Sequence, residues 1–293
     1  MIDFGNVITA MVTPFDKQGD VDYKKAIELA NYLIDHGTDT ILLAGTTGES
    51  PTLTHEEEYQ LFKKIKYEIG TKALIMAGTG SNCTKTAMNA TRKAEECGID
   101  AVLQVVPYYN KPSQEGLYQH FSTIATHTKL PIMLYNIPGR SSAKLEVETI
   151  QRLAGVKNIV SIKEASGSVD IIKQLRAALP EKFKIYSGDD ALTLSFLEAG
   201  AEGVVSVASH CVGIQLQEMV SFYHQEEYIE AEKINKKLKP LFDVLFITSN
   251  PVPVKAALRL MGMDVGSVRL PLVEANELEV TQINDVLARL KLL

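Results

Sequence analysis

The stretch HGTDTILLAG, His36–Gly45, recurs in outline as CGIDAVLQVV at Cys97–Val106 and as AGAEGVVSVA at Ala199–Ala208. In each copy a glycine suits the left-handed position that closes a helix, two residues pass, and an apolar strand begins. A repeated helix–glycine–strand unit is what a barrel of alternating strands and helices requires. Outward from these junctions, short β-branched or apolar runs lie at Val7–Val12, Thr40–Gly45, Ala73–Ala77, Ala101–Val106, Pro131–Tyr135, Ile159–Lys163, Lys184–Ser187 and Gly203–Val207. Each has the length of a strand. Between them the spacing is helical, as in Tyr23–His36, where Ala26, Leu29, Ala30, Leu33 and Ile34 share one face. The alternation predicts an α/β fold, a (β/α)8 TIM barrel with a C-terminal helical extension. A doubly wound open sheet uses similar units but seldom eight of them, and no GxGxxG follows the first strand.

After Val207 the pattern turns to helices alone, at Val212–His224, Tyr228–Phe246, Pro251–Met261 and Val273–Leu290. Residues 1–230 are expected to form the catalytic barrel and residues 231–293 a helical extension packed on it, with a break at Asn250, Pro251 and Pro253. Helix starts fit the scheme. Thr54 with Glu57 forms a capping-box pattern, and Asn82, Ser113 and Ser168 stand where caps are expected.

Composition narrows the function classes. The 293 residues are 45% apolar and 23% charged, enough for a large core. Thirty basic against 36 acidic residues give a net charge of −6, and the basic residues are scattered, so no nucleic-acid footprint is expected. Cys83, Cys97 and Cys211 are odd in number, far apart and without a CxxC pair, which argues against a disulfide framework and a zinc site. The start, MIDFGNVITAMVTPF, lacks a basic region ahead of its short apolar run and reads as a first strand. No run approaches the ~18 apolar residues of a membrane span. A cytoplasmic protein is the expectation.

The chemistry gathers at the ends of the strands, where (β/α)8 enzymes place their sites. In IVSIKEASGS, Ile159–Ser168, Val160 and Ile162 share one face and Ser161 and Lys163 the other. A lysine inside an apolar strand is costly as an ammonium, so a depressed pKa makes Lys163 a candidate amine nucleophile. The structural alternative is a snorkelling lysine paired with Glu164 or Glu181. Strand two ends in Gly45-Thr46-Thr47-Gly48-Glu49-Ser50. If Leu42, Ala44 and Thr46 alternate inward, the hydroxyls and glycine-flanked amides form a carboxylate cradle. On strand five, Ile132 and Leu134 face the helices and leave Tyr135 inward, a phenol able to shuttle a proton. Arg140, just beyond, is placed to clamp a carboxylate. Core tyrosines, a turn of Gly and Thr and a solvated loop arginine are the structural alternatives; the joint pattern is more specific than any part.

These stretches carry a resemblance over nearly the whole chain. ITAMVTPF at Ile8–Phe15, GTTGES at Gly45–Ser50, VVPYYNKPSQEG at Val105–Gly116, YNIPGR at Tyr135–Arg140, IKEASG at Ile162–Gly167 and NPVPVK at Asn250–Lys255 resemble the dihydrodipicolinate synthase family, within the pyruvate-dependent class I aldolases that include N-acetylneuraminate lyase. The resemblance implies a Schiff base between Lys163 and pyruvate. It also implies a proton relay through Tyr135, held by Thr46 and by Tyr109 of a neighbouring subunit. Thr47 would bind the pyruvate carboxylate with Thr46, Arg140 would bind the carboxylate of L-aspartate 4-semialdehyde, and the backbone at Gly188 and Val205 would line the site. A homotetramer built from tight dimers is implied, with no metal and no organic cofactor, because the iminium is itself the electron sink.

The rival within the superfamily is a pyruvate aldolase for a sugar acid, such as neuraminate or a 2-keto-3-deoxy acid; Tyr108-Tyr109 and Arg140 favour the synthase. The rival of another class is a non-catalytic barrel that binds a keto acid. The possible allosteric set implied by lysine-inhibited members is Ser50, His55, Asn82 and Tyr108. Glu58 and Thr86 depart from that pattern and Pro51 is inserted nearby, so feedback by lysine is expected to be weak or absent.

Overall fold

The computed structural model describes residues 2–293. Among them the chain forms eight strands: β1 Val7–Ala10, β2 Thr40–Leu43, β3 Leu74–Gly78, β4 Ala101–Val105, β5 Ile132–Asn136, β6 Ile159–Glu164, β7 Lys184–Ser187 and β8 Gly203–Ser206. They close a barrel in chain order. The intervening helices are α1 Tyr23–Asp35, α2 His55–Ile69, α3 Thr84–Glu96, α4 Gln114–Thr126, the single turn α5 Pro138–Ser141, α6 Val147–Leu153, α7 Val169–Ala178 and α8 Thr193–Glu198. Four more follow the last strand: α9 Ser209–His224, α10 Tyr228–Val244, α11 Val252–Leu260 and α12 Glu277–Leu290. The expected (β/α)8 barrel with C-terminal helices is the observed fold. Among the described residues no helix is long and apolar enough to cross a membrane.

The repeated junctions work as expected. Gly37, Gly98 and Gly200 take φ of 95°, 77° and 102°, a region costly for any residue with a Cβ. The three copies share a second device, an acid ahead of the strand that ties down the start of the preceding strand. Asp39 Oδ2 accepts from the backbone N–H of Asn6 and Val7 at 2.8 and 3.0 Å. Asp100 Oδ2 accepts from Ile75 N at 2.8 Å, and Glu202 pairs with Lys184 at the first residue of β7.

The chain divides into two compact units. The first, built around Leu74–Val205, carries β3 to β8. Parallel pairing sets Val105, Tyr135, Lys163 and Tyr186 side by side across β4, β5, β6 and β7, with Gly203 of β8 next in line. Residues level in a parallel sheet face the same way, so this register delivers Tyr135 and Lys163 to one face.

The second unit, Phe4–Ala73 with Ser206–Leu293, holds β1, β2, α1, α2 and the four C-terminal helices. Here α9 packs against β1, α1 and α10, while α12 packs against α10 and α11. Arg269 fastens the segment before α12 to the start of α2. Its guanidinium donates to Glu57 and to the carbonyls of Gly19 and Thr52, and lies over the Phe15 ring. Thr54 and Glu57 form the expected capping box, so Glu57 serves the helix and the arginine together.

Several local expectations need correction. Asn82 is no cap: Cys83 holds that position without a side-chain bond, while Asn82 Nδ2 donates to Tyr108 O at 3.2 Å. Ser168 occupies the cap position of α7 but makes no capping bond, whereas Ser113 caps α4 by accepting from Gly116 N. Helix α9 starts at Ser209, before Val212, and Val212 kinks it with φ −138° and ψ 37°. Helix α12 starts at Glu277, after Val273, because Asn276 and Glu279 form a second capping box that sets the first turn.

Candidate active site

Lys163 stands one residue before the end of β6 and is 6% exposed. Burial pushes its amine down from 10.5 to about 8; the charge of Asp190 partly offsets this and that of Arg140 adds to it. The shift disfavours the ammonium by roughly 3 kcal/mol, so at pH 8 about half of the amines are neutral, against about one in three hundred for an ordinary lysine. Its Nζ lies 4.3 Å from the centroid of the Tyr135 ring, on the neighbouring strand.

The snorkelling alternative fails on its partners. Glu164 is the next residue along β6 and points to the opposite side, where it accepts from Asn136 Nδ2 at 2.8 Å and from Ser166 N at 2.7 Å. Asn136 is held in turn, its Oδ1 accepting from Leu145 N at 3.0 Å. Glu181 is exposed and precedes the amino end of β7, while Lys163 stands near the carboxyl end of β6.

The space around the lysine stem is shaped by Gly188, just beyond β7. A Cβ added there would lie 2.9 Å from Lys163 Cε and 2.7 Å from Ala165 Cβ. Only glycine leaves the stem its path. Tyr135 is 5% exposed near the end of β5, and Arg140 is exposed on α5, which follows that strand directly. Val205 is buried on β8, two residues beyond Gly203 and therefore on the same face as Tyr186. The first unit thus brings Tyr135, Arg140, Lys163, Gly188 and Val205 to the carboxyl ends of its strands. Asp190, whose charge acts on Lys163, is a member that the sequence reading missed; its one signal was a buried-looking acid in the SGDD turn after β7.

In the second unit, Thr46 and Thr47 lie on the turn after β2, though not by strand alternation. The strand ends at Leu43, and Ala44 takes φ 48°, so period two stops before Thr46. The turn is fixed by its own bonds: Glu49 N to Thr46 O at 3.1 Å, Ser50 N to Gly45 O at 3.3 Å and Thr13 Oγ1 to Gly48 O at 2.6 Å. Glu49 adopts the left-handed conformation with φ 55°. Its carboxylate is ion-paired with Lys255 at 2.7 Å and accepts from Arg269 N at 2.9 Å.

Lys255 is a second buried lysine, brought down from 10.5 to about 8 by burial against the pull of Glu49. Both amines lie over an aromatic ring, Lys255 over Phe15 at 4.2 Å; Lys255 differs in also having an ion-pair partner, Glu49, and a hydrogen-bond acceptor, the carbonyl of Ser267 at 2.8 Å. A depressed pKa alone therefore does not mark the nucleophile.

The remaining candidates fall into two clusters. In the second unit, Ser50 Oγ donates to Glu58 Oε1 at 2.7 Å, and His55 Nδ1 lies 3.2 Å from Glu58 Oε2. Burial raises the pKa of Glu58 above its ordinary value, with Ser50 and His55 opposing. In the first unit, Asn82 bonds the backbone of Tyr108, and Asn110 Nδ2 donates to Asn82 O at 2.8 Å. Tyr109 follows with φ 75° and is 88% exposed.

A (β/α)8 barrel with a desolvated amine beside a phenol at the carboxyl ends of adjacent strands is the class of site that forms imines with carbonyl substrates. The chain belongs to the dihydrodipicolinate synthetase family, whose model matches residues 3–290. It is 55% identical to a 4-hydroxy-tetrahydrodipicolinate synthase of Acaryochloris marina over 294 aligned residues, covering 100% of both chains. Its structure superposes on a dihydrodipicolinate synthase of Bacillus anthracis with a TM-score of 0.96 at 49% identity, covering 98% of this chain and 99% of the other. A dihydrodipicolinate synthase of Cyanidioschyzon merolae, solved with lysine bound, gives a TM-score of 0.97 at 47% identity over 99% of each chain.

An amine attacks a carbonyl in its neutral form, so if Lys163 is the reacting amine the rate of imine formation with a small 2-oxo acid at subsaturating concentration should rise with pH through about 8 and then level off. A rate that keeps climbing towards 10.5 would show Lys163 to be an ordinary amine.

Proposed function

We propose that the chain is a lyase of the 4-hydroxy-tetrahydrodipicolinate synthase type. It condenses pyruvate with L-aspartate 4-semialdehyde, the first committed step of diaminopimelate and lysine synthesis. The observation that carries this is the desolvated amine of Lys163, which has no hydrogen-bond or ion-pair partner among the described residues, beside Tyr135 in a chain of this family.

Lys163 Nζ adds to the carbonyl carbon of pyruvate, and loss of water gives the iminium. The iminium acidifies the methyl group; a base takes the proton, the C–H electron pair forms the C=C bond of the enamine as the C=N pair moves onto nitrogen, and the enamine attacks the aldehyde carbon of the semialdehyde. The amino group of that substrate then displaces the lysine as the ring closes, which restores the free amine. Electron demand is met by the iminium, so the scheme calls on no metal or organic cofactor. Tyr135 carries protons during imine formation and Arg140 takes the second carboxylate. To Thr46 and Thr47 we assign the carboxylate of pyruvate, through their hydroxyls and the amides of their turn. The backbone at Gly188 and Val205 shapes the pyruvate pocket.

Tyr109 we assign to the site of a neighbouring subunit in a homotetramer, a dimer of dimers. Its ring stands 88% exposed on a left-handed residue, which is a costly way to display a tyrosine in a monomer. We place the enzyme in the cytoplasm, where cysteines outside disulfides, such as Cys83, Cys97 and Cys211, stay reduced. Feedback by lysine is weak or absent, because Glu58 occupies both Ser50 and His55, and Thr86 offers no acid for an ammonium.

Turnover with pyruvate against a panel of aldehydes tests the substrate: aspartate semialdehyde is expected to be the fastest, and inactivity with it alongside cleavage of a sugar acid would overturn the assignment. Analytical sedimentation is expected to give a tetramer, and a fully active monomer would remove Tyr109 from the mechanism. Lysine should lower the initial rate little or not at all; inhibition at sub-millimolar lysine would mean that Glu58 and Thr86 do not block the site.

A further inference from the structure

We infer that Asn250 is a positioning residue that sets the Thr47 hydroxyl as a hydrogen-bond donor to the carboxylate of the 2-oxo acid substrate. The inference rests on the assignment of Thr47 to that carboxylate.

Asn250 lies in the link between α10 and α11, 203 positions from Thr47, yet its Nδ2 donates to Thr47 Oγ1 at 2.9 Å. Both residues are buried, at 7% and 4% exposure. A hydroxyl has one hydrogen to give and lone pairs to accept with. Because the amide N–H occupies the oxygen as an acceptor, the hydroxyl hydrogen must point elsewhere. Among the described residues Thr47 Oγ1 has no acceptor of its own, so that hydrogen is left for a ligand.

The other end of the amide makes the same point. Asn250 Oδ1 is buried without a partner. Reversing the amide would satisfy it with the Thr47 hydroxyl, but that would move the NH2 group away from Thr47 Oγ1 and consume the hydrogen an anion needs. In the orientation present, the amide gives a donor to Thr47 and leaves the hydroxyl hydrogen uncommitted.

The turn itself is held by the same stretch of chain. Five residues after Asn250, Lys255 on α11 pairs with Glu49, two residues after Thr47. That pair, with Arg269 N on the second carboxylate oxygen, keeps Glu49 in its left-handed conformation and the turn in place. Asn250 then has only the rotation of one hydroxyl left to decide.

The test is Asn250→Asp, which keeps the shape and reverses the polarity: the carboxylate accepts the Thr47 hydrogen and adds a like charge. Borohydride trapping on the intact enzyme is followed against pyruvate and against pyruvamide, its uncharged analogue. The half-saturating pyruvate concentration is expected to rise about tenfold or more, the scale of a lost hydrogen bond to a charged group, with little change for pyruvamide or in kcat and the KM for the aldehyde. Asn250→Ala, the second variant should the first not fold, should raise it less. Adding Asn250→Ala to Thr47→Val should cost nothing beyond Thr47→Val alone. Unchanged pyruvate dependence, or equal losses for pyruvate and pyruvamide, would overturn the inference. Absence of trapping in the unmodified enzyme would overturn the catalytic assignment itself.

Discussion

The site depends on a buried amine that the fold leaves without an ion-pair partner among the described residues. Placing Lys163 inside the sheet raises the cost of its charged form, and the alternation of β6 sends the adjacent Glu164 to the opposite face, where Asn136 and Ser166 hold it. The strand therefore turns the amine away from the acid adjacent to it in sequence by geometry alone. What remains near the amine is a phenol ring, the stem-shaping Gly188 and two charges acting in opposite senses, Asp190 and Arg140.

Lys255 shows why pairing matters as much as burial. It is buried at 3% exposure and its amine is lowered to a similar extent. Yet Glu49 and a backbone carbonyl claim its hydrogens, and its work is to hold a turn. Two lysines of similar acidity thus stand in different surroundings: among the described residues one has no ion-pair partner, while the other commits its charge to architecture. Removing one partner from such a buried pair would leave an uncompensated charge next to the turn that carries Thr46 and Thr47.

How much of this could be read from the residues varied with the range of the physics involved. The glycines at 37, 98 and 200 were legible because left-handed φ is a local demand, and the eight-fold alternation followed. Thr54 with Glu57 was legible for the same reason. Lys163 and Tyr135 were legible from alternation because both lie past the register shift at Ile132 and Met133, where β5 and β6 pair residue for residue. Thr46 was placed by an alternation that does not exist, since Ala44 leaves the strand region before it. Asn82, drawn to a backbone carbonyl 26 residues away, could not be told from a cap by sequence alone. Asn250 and Glu49 lay beyond reach altogether: their partners are 203 and 206 positions distant, and only the folded chain brings them into contact.

The central claim is that Lys163, and not its equally buried counterpart, is the reacting amine. Borohydride reduction of the enzyme in the presence of pyruvate, followed by peptide mass mapping, tests this directly. The account predicts a single adduct on the peptide that carries Lys163 and none on the peptide that carries Lys255. An adduct on Lys255, or no adduct under conditions of full turnover, would contradict it.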